Sequence, residues 1–139
     1  MGREDDIYYQ RKRDICIYLF NQYKDKITLD SMVKDLHYSK RNIERTINEQ
    51  LDAGLCQAVN AIRLHKTIEQ YIKHKTPIYK SAQQNGFPDR RLLFKWWNRW
   101  MTIPLDHQQI NKSTIDQHMS TEYKELTENI FSCIDDNVD

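Results

Sequence analysis

Apolar residues in this chain recur mostly three and four positions apart, the period of a helix that buries one face, and strands are not expected. The pattern predicts a first helix over about 10–24, with Ile15, Leu19 and Tyr23 on one stripe and Ile17 and Phe20 beside it. A short second helix begins near Leu29, with Thr28 or Asp30 as its cap, and turns Leu29, Met32, Val33 and Leu36 inward. After His37 and Tyr38, Ser39 is placed to cap a third helix whose apolar positions are Ile43, Ile47 and Leu51. Its other face carries Lys40, Arg41, Glu44, Arg45 and Asn48. Asp52-Ala53-Gly54 ends that element, with Gly54 as the expected C-terminal cap.

A long helix follows over about 55–73, with Val59, Ile62, Ile68 and Ile72 as inward positions. Thr76-Pro77 opens the next segment, since Pro is tolerated in a first helical turn. Ile78 and Ala82 face inward there, Gly86-Phe87-Pro88 makes a break, and Asp89 caps a helix to about Met101. Leu93, Trp97, Trp100 and Met101 share one stripe of it, while Arg90, Arg91, Phe94, Lys95 and Asn98 share the opposite one. Thr102-Ile103-Pro104 leads into a short helix expected over roughly 105–110.

Two stretches of this plan repeat. At an offset of 49, Leu29, Val33 and Tyr38 match Ile78, Ala82 and Phe87. At an offset of 50, Ser39, Arg41, Ile43, Arg45 and Ile47 match Asp89, Arg91, Leu93, Lys95 and Trp97. Each unit is a short helix, a tight turn, a capping Ser or Asp, and a helix with an apolar back and a cationic front. That is a helix-turn-helix, which sets its second helix into the major groove of DNA while the helix before it crosses the phosphates. Scattered surface charge has no reason to recur at matched helical positions. The helix between the units, at about 1.5 Å per residue, spans roughly 29 Å, close to the roughly 34 Å between successive major grooves on one side of a duplex.

Charge sharpens this picture. The net charge of +1 hides a division: residues 1–112 hold 20 Lys and Arg against 13 Asp and Glu, a net +7, whereas residues 113–139 hold 1 against 7, a net −6. The body suits a polyanion and the tail does not. Cys16, Cys56 and Cys133, with five scattered histidines, lack metal-ligand or paired-cysteine spacing, so the thiols are read as reduced, two of them buried, and neither a metal nor a cofactor is expected. No run approaches the roughly 18 apolar residues of a membrane span, and a cytoplasmic location is expected. In the tail, Tyr123, Leu126, Ile130, Phe131 and Ile134 predict an amphipathic helix over about 120–134. Its stripe packs on the body, pairs with a second copy, or starts another domain. An acidic helix docked near the basic face would also act as a brake, so that deleting 113–139 tightens DNA binding.

Over about 11–110 the chain resembles the DNA-binding domain of AraC/XylS transcription regulators. ITLDSMVKDLHYSKRNIERTI is similar to the family's first motif, Arg63-Leu64 stands where the family has an Arg-Leu pair, and PIYKSAQQNGFPDRRLLFKWWNRWMTIP resembles its second-motif signature. Three departures stand out: Asp52 occupies the place of a family Gly, one residue is missing near Met101-Thr102, and Ile47 and Trp97 stand for Phe. The resemblance implies an all-α fold of two helix-turn-helix lobes joined by a long helix, with base readers on the third and sixth helices. It also implies a non-enzymatic regulator in the bacterial cytoplasm, associated with the nucleoid, whose partners are double-stranded DNA and RNA polymerase. The domain is read as 1–112, with units at about 28–52 and 77–101, followed by the acidic tail; the oligomeric state stays open.

The base readers assigned on this footing are Arg41, Glu44, Arg45, Arg90, Arg91, Phe94 and Lys95. Arginine suits guanine O6 and N7, a pairing worth about 1–3 kcal/mol of discrimination. Glu44 either accepts from a cytosine amino group or pairs within its own helix; Phe94 either meets a thymine methyl or packs locally. Thr28 and Ser39, with free amides at their helix starts, and Lys40, Lys66, Lys80 and Arg99 are assigned to phosphate, against the plainer reading of the cations as solvent charges. The spacing of Trp96, Trp97 and Trp100 fits a core better than base stacking. Two other functions compete with this one: an interaction adaptor or anti-activator that keeps the fold without binding DNA, and an alkyl-accepting repair enzyme, for which no cysteine has the activating neighbours.

Overall fold

The structure, a computed structural model, describes residues 3–105 and 110–135. Among them it is all-helical: α1 Arg3–Gln22, α2 Leu29–Leu36, α3 Lys40–Gln50, α4 Leu55–His74, α5 Ile78–Gln84, α6 Arg90–Trp100, α7 Lys112–His118 and α8 Thr121–Asp135. No strand occurs among the described residues; an isolated bridge joins Met101 to Met119. No helix among the described residues is long and apolar enough to cross a membrane. The helix expected over 105–110 falls largely on residues 106–109, outside the described ones.

The long helix is the axis of the fold. Ala58, Val59, Asn60, Ala61 and Ile62 are all buried in succession. That is more than one full turn, so α4 is enclosed on every side here rather than exposed as a rod between two lobes. α1, α5, α6 and α8 all pack on it, and α3 packs on α1 and α2. The α1 stripe of Ile15, Leu19 and Tyr23 is buried as its spacing predicts, with Cys16 beside it.

Three features differ from the sequence reading, and a fourth selects among alternatives it left open. α1 starts at Arg3 instead of near 10. Gly54 does not cap α3: it is the N-cap of α4 in extended conformation (φ −87°), and Asp52 takes the left-handed position at φ 52°. Asp tolerates that region better than most side chains, because its short polar group bonds locally. α7 is an additional helix, started by Asn111, whose Oδ1 accepts from the Thr114 amide at 2.9 Å. Finally, of the alternatives for the acidic segment, the structure has packing on the body: α8 lies across α1 and α4 with Tyr123, Leu126, Ile130 and Cys133 buried. Cys133 meets Cys16 there in a thiol hydrogen bond, and both thiols are buried while Cys56 is exposed. Deleting 113–139 therefore removes core side chains as well as charge.

Candidate nucleic-acid interface

The first unit is built from local caps. Thr28 Oγ1 accepts from the Ser31 amide at 3.0 Å and Ser31 Oγ accepts from the Thr28 amide at 3.1 Å, a reciprocal pair that fixes the start of α2. α2 ends on His37 at φ 63°. Tyr38, in the turn, donates its hydroxyl to Asp14 Oδ2 at 2.6 Å and ties the motif to α1. Burial, followed by that carboxylate, pushes the Tyr38 hydroxyl up to about 12. Ser39 Oγ then accepts from the Asn42 amide at 3.1 Å and starts α3, which buries Ile43, Thr46 and Ile47 and turns Lys40, Arg41, Glu44 and Asn48 to solvent.

The second unit follows the same plan with heavier anchoring. Ser81 Oγ donates to Thr67 O of α4 at 2.8 Å, and Tyr23 donates to Asn85 Oδ1 at 3.0 Å. Asn85 Nδ2 donates to Gln70 Oε1 at 2.8 Å. Gly86 turns the chain at φ 101°, packed so closely that a Cβ would sit 3.0 Å from Lys24 Cα and Tyr23 O. Arg63 lies against the same turn: its Nε donates to Tyr23 O at 2.7 Å and its Nη2 to Asp25 O at 3.0 Å, satisfying carbonyls just past the end of α1. Asp89 Oδ1 accepts from the Leu92 amide at 2.9 Å and starts α6. Leu93, Trp96, Trp97 and Trp100 are buried on its back, so none of the three indoles is free to stack on a base.

The assigned readers divide into three groups. Arg41, Glu44 and Arg91 are exposed and, among the described residues, make no ion pair or ring contact. Glu44 does not pair with Lys40, whose Nζ lies 3.9 Å from Asp30 Oδ1. Arg90 and Lys95 are exposed with their charged ends over aromatic faces, the Arg90 guanidinium 4.1 Å from the Tyr79 centroid and the Lys95 ammonium 5.1 Å from Trp96. Phe94 is half-buried, 6.1 Å from Tyr79, which is the local packing the sequence left open. Arg45 is the exception on the first reader. It is half-buried, its Nη2 reaches only Asn42 Oδ1 at 3.4 Å, and the Tyr8 ring covers it at 5.6 Å.

The phosphate assignments divide as well. Thr28, Ser39, Lys40 and Lys80 are exposed on the two units. Lys66 is half-buried, 4.6 Å from the Phe20 centroid and 3.7 Å from Glu69, and neither contact involves a reader helix. Arg99 is held by the acidic segment: Glu122 Oε1 accepts from Arg99 Nε at 3.0 Å and from Trp100 Nε1 at 2.9 Å. Those two bonds, the Trp100 bond first, hold the Glu122 carboxyl below its ordinary range.

Sequence reasoning missed Arg11, which the structure places against the first reader. It is buried, and the rings of Tyr8 and Tyr38 face it at 5.3 and 5.6 Å. The signal was present, because the stripe of Ile15, Leu19 and Tyr23 continued four residues back arrives at position 11. Comparison with protein-family models, curated proteins and solved structures found no match to this chain.

Proposed function

We propose that this chain binds double-stranded DNA sequence-specifically as a bacterial transcription regulator, setting α3 and α6 into adjacent major grooves. The observation that supports it most is the repeated presentation of cations. Two separately capped helices, each following a tight turn, bury an apolar back and expose Arg41 on one and Arg90, Arg91 and Lys95 on the other. Arginines exposed in a first helical turn without a carboxylate partner suit base edges, and the free amides at both helix starts suit phosphate. α4, 20 residues and about 30 Å long, has the reach to separate two readers by nearly one turn of duplex. The resemblance to AraC/XylS domains supports the same reading, with RNA polymerase as a further partner.

The test is selection of bound sites from random duplexes by the whole chain, then repetition with Arg41→Ala and with Arg91→Ala. Each substitution costs about 1–3 kcal/mol at the base pair it reads and relaxes preference there, at positions about one helical turn apart. The unsubstituted chain also loses affinity steeply as salt rises, because several phosphates are neutralised together. Selection that returns no preferred sequence, with weak binding indifferent to salt, favours an interaction adaptor instead.

A further inference from the structure

Arg11 is a charge buried without a counter-charge among the described residues. It is 8% exposed, and its Nε and Nη1 are buried with no hydrogen-bond acceptor, as is Nε of the neighbouring Arg45. Ring faces stand against it: Tyr8 lies 5.3 Å from Arg11 and 5.6 Å from Arg45, and Tyr38 lies 5.6 Å from Arg11. Aromatic faces attract a guanidinium but offer no lone pair to its N–H groups. The nearest carboxylate by sequence, Asp14, is already engaged by Tyr38 and by Gln10 Nε2 at 2.8 Å. A buried guanidinium left in this state is costly for the free protein. Orphan donors from two cations, converging on the first reader helix, ask for an oxyanion.

We propose that Arg11 and Arg45 form an oxyanion seat of the first unit, closed by the Tyr8 ring in the free protein, that takes a phosphate oxygen of the duplex backbone; this rests on the DNA-binding reading above. Tyr8 is placed to move. It lies in the second turn of α1, only half-buried, between exposed Ile7 and Tyr9, so shifting it uncovers the guanidiniums while disturbing little of the core. The phosphate then supplies acceptors to donors that the protein leaves unmet, and charge-assisted bonds replace ring contacts. Docking of the first unit and opening of the Tyr8 cover thereby become one event.

Two arms test this with the full chain. In the first, thermal unfolding is followed in inorganic phosphate and in chloride at equal ionic strength. At phosphate tenfold above its Kd the unsubstituted protein gains about 3 °C more than Arg11→Met or Arg45→Met. Tyr8→Ala reaches the same gain at lower phosphate, because nothing has to be displaced. Without phosphate, Arg11→Met is at least as stable as the parent, since it removes an uncompensated charge. Equal phosphate responses in the parent and both Met variants overturn the seat. In the second arm, duplex affinity is measured against salt, and Arg11→Met lowers the slope by about one. An unchanged slope in a variant that still binds duplex overturns the backbone phosphate as the ligand, and a phosphate response that depends on Arg11 then leaves the seat to a free phosphate. Failure of the parent to bind duplex at all sinks the DNA reading, while the first arm still decides whether the seat exists.

Discussion

The two helix-turn-helix units reach the same backbone plan by different physical means. In the first, the turn passes through His37 at φ 63°, a side chain held in the left-handed region with solvent around it. In the second it passes through Gly86 at φ 101°, with the backbone of Tyr23 and Lys24 pressed against it. The first unit leans on α1, whereas the second is bonded into α4 through Ser81 and Asn85. A repeat in sequence thus hides an asymmetry in anchoring. The second unit is bonded to the axis of the fold, and the first carries Arg45, the cation that is covered.

The sharpest way to break that comparison is to exchange the two turn residues. Gly86→Ala must hold a side chain at a strained φ and put its Cβ 3.0 Å from backbone atoms that cannot swing aside, so it should cost about 3 kcal/mol or more. His37→Gly relieves a left-handed side chain and should stabilise by about 0.5–1 kcal/mol. Chemical denaturation of both variants reads the difference, and equal effects would mean the turns are equivalent after all. Next in size is Arg63→Met, which leaves the carbonyls of Tyr23 and Asp25 and the Asn60 amide oxygen without their donor. About 2–3 kcal/mol of stability is expected to be lost. Hydrogen exchange should show that loss loosening the second unit more than the first, since Arg63 lies against the Gly86 turn.

Much of this was legible in the chain, for reasons that can be named. Thr28, Ser39 and Asp89 announce their helices because a short side-chain oxygen meeting an orphan amide is a local matter, settled within four residues. The core stripes of α1, α3 and α6 were legible because burial repeats at the helical period. What the sequence hid was set by distant partners or by weak local signals. Asp52 takes the left-handed position while the more obvious Gly54 serves as an N-cap; a glycine's presence did not say which end of a link it would occupy. α7 contributes only Ile115 as a buried residue, too little pattern to declare a helix. Among the site residues, Arg41 and Arg91 stand exposed as expected, but Arg45 and Arg99 are engaged by Tyr8 and Glu122, groups that lie far off in sequence, and Lys66 by Glu69 one turn along its own helix. Hydrophobic period and charge place a cation on a helix; whether it stays free depends on what folds over it.

The acidic segment adds a pH dependence to the comparison. His65 of α4 sits 4.5 Å from the Phe131 ring of α8 and 3.6 Å from Glu69. Burial, the largest influence, lowers its pKa below 6.5. The folded protein therefore prefers the neutral imidazole, and the unfolded chain takes up the proton first as pH falls. Stability from this group is complete above about pH 6.5 and declines as the solution becomes more acidic, through the lowered folded value. Urea midpoints measured at pH 7 and pH 5 should fall less for His65→Gln than for the parent. An identical fall would place the acid sensitivity elsewhere.

The smallest effect expected is also the most direct probe of whether acidic residues restrain one unit more than the other. Glu122 holds Arg99 on α6 at 3.0 Å, and Asp30 faces Lys40 on α3 at 3.9 Å. Both pairs are solvent-exposed, so each contributes little to stability, within about 1 kcal/mol. Their effect on a polyanion differs. Glu122→Gln keeps an oxygen to accept from Trp100 Nε1, and so keeps the packing, while it removes the charge that neutralises Arg99. Duplex affinity at low salt should rise by about twofold, and the gain should fade as salt screens it. Asp30→Asn frees a cation that was already loosely held, and its gain should be smaller. The reverse order would place Arg99 away from the duplex and leave the first unit as the one whose charge the acidic residues temper.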